Sequence, residues 1–141
     1  MESATAAVTS NWMIAAAAAV VLITALVLWY VWRKGRSQPG GTTFRASRLS
    51  AGNRVFPTQV LITPSSVVHL RPQWIGKLEH SIHIAHIASV RIETNLLFSD
   101  VYIETTGGTS AVSCSGHHKG DAVRMKQLIE QYQTDYYKKS L

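Results

Sequence analysis

Residues 89–114 read SVRIETNLLFSDVYIETTGGTSAVSC. In Ser89–Thr94, Val90 and Ile92 face one way and Arg91 and Glu93 the other; in Asp100–Thr105, Val101 and Ile103 oppose Tyr102 and Glu104. A period of two with one apolar face marks a half-buried strand. Gly107-Gly108 supplies a tight hairpin into a third strand, Thr109–Cys114. One face packed and one wet is the pattern of an antiparallel sheet.

Working outward, the same period recurs upstream in Phe56–Ile62, Val67–Arg71 and Lys77–Ile84, with Pro64-Ser65-Ser66 turning the first of these into the second. Downstream, Asp121 lies in the first turn of a helix. Its Ala122, Met125, Leu128, Ile129 and Tyr132 recur at three- and four-residue spacing, an apolar stripe that needs a sheet to cover. Six strands followed by one helix fill residues 55–141, enough for one small domain with one core.

The stretches VLITPSSVVHL (60–70), GKLEHSIHIAHIASVRIET (76–94), SDVYIETTGGTSAVSCSG (99–116) and QLIEQ (127–131) carry a closer likeness. Together they resemble the bacterial pleckstrin-homology-like (PH-like) domain family, whose members are often fused to membrane spans. The resemblance implies a small α+β domain: a PH-like antiparallel β-barrel or sandwich of six or seven strands capped by a C-terminal amphipathic helix. It also implies a non-catalytic adaptor that supports assembly or protein contact. Its motif consists mostly of core and turn positions, so it speaks to fold more than activity. The family's first strand is not clear in this chain, and Phe44–Leu49 is the stretch that would supply it. Specific phosphoinositide binding would need several Lys or Arg converging near the turn between the first two strands. That turn reads as Thr63-Pro64-Ser65-Ser66, which offers none, so a specific phosphoinositide is not expected.

Ahead of the domain, Trp12–Trp32 (WMIAAAAAVVLITALVLWYVW) contains no charged side chain over 21 residues. At about 1.5 Å per residue it crosses a hydrocarbon core of roughly 30 Å. Arg33, Lys34 and Arg36 follow at once, and only Glu2 is charged before it. Basic residues beside a span stay on the cytoplasmic side. The reading is a single-pass protein of the bacterial cytoplasmic (inner) membrane, with residues 1–11 outside, 12–32 spanning, and the C-terminal domain inside. A cleaved secretory signal competes with it, but no positive charge precedes the run and the run exceeds the usual apolar core of a signal. Trp12 at one end and Trp29, Tyr30 and Trp32 at the other suit the headgroup layers, with Arg33, Lys34 and Arg36 at the inner surface. Within the span there is no His, Asp, Glu, Lys or Arg to hold a pigment, haem or proton path, and no cofactor is expected. Ala15, Ala16, Ala18 and Ala19 form a small-residue face on which a partner helix packs closely, or else the alanine-rich start of a plain anchor.

The net charge of +6 is concentrated. Residues 33–54 carry six basic side chains (Arg33, Lys34, Arg36, Arg45, Arg48, Arg54) and no acid, whereas from residue 55 onward eight bases face seven acids. This polybasic stretch, with its Pro39-Gly40-Gly41 breaker, reads as a juxtamembrane linker attracted to anionic lipid headgroups. No basic face on a folded element points to nucleic acid. The one cysteine, Cys114, reads as a small core residue.

His80 and His83 fall on opposite faces of a strand, and His117-His118 fall in the loop before the helix; no metal site is expected from them. No nucleophile, base and acid set appears, so no enzyme and no catalytic residue is expected. Two apolar loops remain as candidate protein contacts: Trp74-Ile75 at a hairpin tip and Leu96-Leu97-Phe98 in another connection. Their alternative is self-packing, with Trp74 flat on its sheet and Leu97 and Phe98 capping the barrel. Tyr132, Tyr136 and Tyr137 end the helix as a further contact surface or a frayed tail.

These readings converge on a non-catalytic accessory subunit of a larger membrane complex, for instance a respiratory or photosynthetic one. Its span would pack on integral membrane subunits and its domain would cover their cytoplasmic surface. The alternative is a free-standing membrane-tethered adaptor that recruits soluble partners or senses anionic lipid.

Overall fold

Alternating side chains in the C-terminal two-thirds of the chain bury one face of several strands, and the apolar stripe of the last helix closes over them. The computed structural model describes residues 2–34, 36, 39–108 and 111–141, in two units, Met1–Lys34 and Gly35–Leu141. The first unit is helix α1, Glu2–Lys34. It runs through most of the residues expected to form an N-terminal tail as well as the apolar run. Asn11–Lys34 is long and apolar enough to cross a membrane, with a mean hydropathy of 2.5. At its end, the Arg33 guanidinium sits 5.3 Å over the Trp29 ring, and Lys34 sits 5.3 Å over Tyr30 while donating to its hydroxyl at 3.1 Å. The aliphatic hydroxyl in the apolar run, on Thr24, donates back to the Val20 carbonyl, so it leaves no hydrogen uncovered in an apolar medium.

The second unit holds two antiparallel sheets. Strands β1 (Thr42–Arg45), β2 (Gln59–Ile62), β3 (Ser66–Pro72) and β4 (Lys77–His83) pair in the order β1-β2-β3-β4. A 3₁₀ turn, Ile84–His86, leads into β5 (Ile87–Thr94), β6 (Ser99–Thr105) and β7 (Val112–His117), paired β5-β6-β7. Helix α2, Lys119–Ser140, follows, with Asp121 in its first turn. Val60, Ile62, Val67 and Ile82 of one sheet meet Val101, Ile103 and Cys114 of the other, with Ala122, Met125 and Ile129 of α2 between them. Leu128 and Tyr132 flank this core. Among the described residues this is the α+β arrangement of a PH-like domain, with seven strands.

Three sequence expectations need correction. Residues 33–54 are not all tether: Thr42–Arg45 pairs with β2, Thr42 opposite Ile62 and Arg45 opposite Gln59, and Phe44, Ala46 and Asn53 are buried. The domain therefore starts well before residue 55. Phe44 does supply the first strand, but Leu49 lies in the following turn and is 82% exposed. Consequently Thr63–Ser66 joins the second and third strands, not the first two. The connection between the first two is Ala46–Thr58, which carries Arg48 and Arg54. The ground for setting a phosphoinositide aside rested on the wrong turn.

The third correction concerns β7. Thr109 and Ser110, read as its beginning, lie outside the described residues. Its far end holds an extra residue: Val101 pairs with Cys114 but Ser99 pairs with His117, two residues against three. Gly116 occupies this bulge at φ +80°, a left-handed conformation that costs a side-chain-bearing residue 1–2 kcal/mol or thereabouts. The bulge reverses the alternation. Cys114 and His117 both face the core, and His117 is a fully buried strand residue, not a loop residue.

The turn at Thr63 is held by its own hydroxyl, which accepts from the Ser66 amide at 3.0 Å and donates to the Ser66 carbonyl at 2.9 Å. Thr63→Ala is expected to destabilise the domain by about 1 kcal/mol. Amide hydrogen exchange of β2 and β3 in detergent measures this directly, and an unchanged opening free energy would show that the hydroxyl contributes nothing.

Candidate functional site

The chemistry-bearing surface of the domain is built around the β1–β2 connection. Ala46 donates to the Thr58 carbonyl and Ser47 to the Gly116 carbonyl at 2.8 Å, so the chain leaves β1 by crossing onto the end of β7. Asn53 then locks it. Its Oδ1 accepts from both the amide and the hydroxyl of Thr58 at 3.0 Å, and its Nδ2 donates to the Ser115 carbonyl at 3.2 Å. Asn53 is 4% exposed, and all its bonds lie inside the fold. Asp100 completes the frame by accepting from the Gly116 amide at 2.9 Å.

Beneath this connection is a cavity of about 290 Å³ lined by Asn53, Thr58, His69, Arg71, Ser113 and Ser115 among others. The imidazole of His69 is held below its ordinary value, by burial first and then by the positive charge of Arg71 and by His80. Its buried Nε2 has no hydrogen-bond partner. A second hollow, of about 670 Å³, shares Gly52 and Arg71 with the first and adds Arg54, Phe56 and Trp74.

The two apolar loops differ. At the β3–β4 tip, Gln73 donates to the Gly76 carbonyl across a turn in which Gly76 has φ +81°. Trp74 packs edge-on against Phe56, ring centroids 4.9 Å apart, yet keeps 59% of its surface exposed, and Ile75 is 93% exposed. At the β5–β6 tip, Asn95 donates to the Phe98 carbonyl. Phe98 turns back to half-bury itself, its ring 5.9 Å from that of His118. Leu96 and Leu97 stand out at 90% and 70% exposed. Phe98 is thus a capping residue, whereas Leu96 and Leu97 are not.

Several groups have structural work. The Cys114 thiol, fully buried, is pushed up to about 12 by desolvation. His83 accepts from the Ala85 amide through Nδ1, capping the 3₁₀ turn, and its ring sits 5.6 Å from that of Tyr136. Tyr136 in turn lies edge-on to Tyr137. Gln133 donates to the Ile87 carbonyl at 2.8 Å, so the end of α2 is packed onto its own domain. His80 and His83 are both exposed on β4. Among the described residues no group of three or more His, Cys, Asp or Glu is arranged to hold a metal.

No family model matches the chain, and no curated protein matches it. Among solved structures it is similar to the crystal structure of a DUF1696 family protein with a pleckstrin-homology domain from Shewanella loihica. The identity is 15% and the TM-score 0.47, over 67% of this chain and 99% of that one.

Proposed function

We propose that the chain is a non-catalytic accessory subunit of a larger bacterial membrane complex, anchored by α1 with its N-terminus outside and its PH-like domain in the cytoplasm. The observation that carries the reading is the pair of protruding apolar tips, Trp74-Ile75 and Leu96-Leu97, on a domain whose other large apolar strand residues are mostly packed. Covering one such side chain stabilises an association by roughly 1.5–3 kcal/mol, and two separated tips fit a broad partner surface. The anchor reading draws on the apolar length of Asn11–Lys34 and on the Arg33 and Lys34 that end it.

Mild solubilisation of the native membrane, native separation and mass spectrometry test the reading. We expect the chain to migrate with a fixed set of membrane subunits at constant ratio, and to leave them when Ala16 and Ala19 are both made Leu. Migration alone or with variable soluble partners would sink it. The second reading, a tethered adaptor that meets anionic lipid, is favoured by the two arginines of the β1–β2 connection, Arg48 and Arg54, which are both exposed and, among the described residues, form no ion pair.

A further inference from the structure

We propose that the outer edge of β4 joins two copies of this chain as a two-fold dimer, with Leu78 of each copy on the axis. The contact stands independently of whether the chain is an accessory subunit.

A strand at the margin of a sheet turns a row of N–H and C=O groups outward, ready to pair with another strand. Among the described residues the two sheets have four such margins, β1, β4, β5 and β7. Strand β1 has four residues and leaves its sheet by crossing onto β7, where Ser47 donates to the Gly116 carbonyl. The ladders of β5 and β7 each carry a register shift, and a bulge turns an edge away from a partner. Strand β4 differs from all three. Its seven residues pair with β3 without a shift, and among the described residues no strand pairs with its other side. Ile82 is its one buried residue, and Leu78 is 57% exposed.

The backbone fixes which groups face outward. Gln73 donates to the Gly76 carbonyl, and bonded and non-bonded pairs alternate along an antiparallel ladder. Pro72, with no N–H to give, therefore stands opposite Lys77 in a non-bonded pair, and Arg71 opposite Leu78 in a bonded one. Leu78 and His80 turn their backbone groups to β3, whereas Lys77, Glu79 and Ser81 turn theirs to the open edge. A second β4 laid antiparallel about Leu78 sets Lys77 opposite Glu79 of the second copy, and Glu79 opposite its Lys77, in two bonded pairs. Leu78 then meets Leu78 across a non-bonded pair, where the Cα atoms lie about 4.5 Å apart. The neighbouring registers are poorer. An axis on Lys77 opposes two ammonium groups and one on Glu79 opposes two carboxylates, and like charges directly opposite are destabilising. An axis on His80 opposes two imidazoles and leaves Glu79 facing Ser81. Within one copy Lys77 and Glu79 already pair at 2.9 Å on the exposed face. An exposed pair of that kind contributes little, so exchanging it for two pairs across the axis gives up little.

The test uses the full chain in an excess of dodecyl maltoside micelles. Cys114 is fully buried, so copper-phenanthroline oxidation joins copies through an added surface cysteine. Leu78→Cys is expected to form a disulfide-linked dimer at least about tenfold faster than Leu96→Cys, an equally accessible site on a tip away from the axis. Adding Lys77→Glu or Glu79→Lys to the Leu78→Cys chain sets like charges opposite each other in both pairs, and should slow the joining about tenfold. Mixing those two variants, one of them affinity-tagged, should restore the rate and give a mixed dimer, because each acid then meets a base of the other copy. That recovery also reports that both variants are folded. Leu78→Cys joining no faster than Leu96→Cys, charge reversals that slow nothing, or a mixture as slow as its components each overturns the proposal.

Discussion

Gly116→Ala is expected to destabilise the domain by about 2–4 kcal/mol, the sum of a backbone and a packing cost. The backbone cost arises because Gly116 sits at φ +80° inside the β7 bulge, where any Cβ is strained. The packing cost arises because a Cβ built there would lie 2.5 Å from Ser50 Cβ and 2.9 Å from Asn53 Nδ2, and closer still to the Ser50 hydroxyl. Neither neighbour is the loose end of a long side chain. Asn53 is buried, and moving it breaks its bonds to Thr58 and Ser115. It would also strip Thr58, itself 8% exposed, of a partner. The free energy of global opening, read from hydrogen exchange of β2, β3 and β7 amides in detergent, measures the loss. Gly107→Ala is the control: a Cβ there meets nothing within 4 Å, and its change should stay within about 0.5 kcal/mol. Equal effects at the two glycines would show that the β1–β2 connection is not held on β7 in the way described.

The contrast between those glycines also marks how far the sequence is legible. Gly107-Gly108 announces a hairpin because its meaning is local, and the alternations around it place β5 and β6 to within two residues at either end. The stripe on α2 is read as readily, since Ala122, Met125 and Ile129 are spaced by the helix itself. Strand β1 is obscure because its four residues hold one large apolar side chain, Phe44, and its partner β2 begins only at Gln59. Missing it displaces every later strand by one, and so misassigns the turn where basic residues would matter. Asn53, Gly116 and His69 have no sequence signal at all. Asn53 works through Ser115, 62 residues away, and a period-two reading of SCSGH has no means of showing the extra residue that turns His117 inward. The cavity is made of such long-range neighbours, and so only the folded chain displays it.

The buried His117 gives the second large effect: the domain is expected to lose roughly 3 kcal/mol of stability as pH falls from about 6.5 towards 4. Burial pushes its imidazole down to about 4, against the pull of Asp121 and Asp100 and with the help of His69 and His118. In the folded chain the ring stays neutral, while in the unfolded chain it takes a proton near 6.5. The unfolded state therefore binds more protons throughout that window, and stability falls as pH falls, levelling once the folded ring also titrates. The ring is fully buried and neither nitrogen has a hydrogen-bond partner, so an apolar replacement leaves no polar group stranded. His117→Leu should keep the fold at pH 7 and abolish most of the slope, leaving the smaller fall that belongs to His69, whose value is also lowered by burial. Hydrogen-exchange opening free energies of the β6 and β7 amides between pH 7 and 4.5 decide it. A wild-type profile flat over that range, or a variant as steep as the wild type, would show that His117 reaches water. The same bulge that admits Gly116 near the end of β7 thus places a titratable ring in the core and makes the fold acid-sensitive.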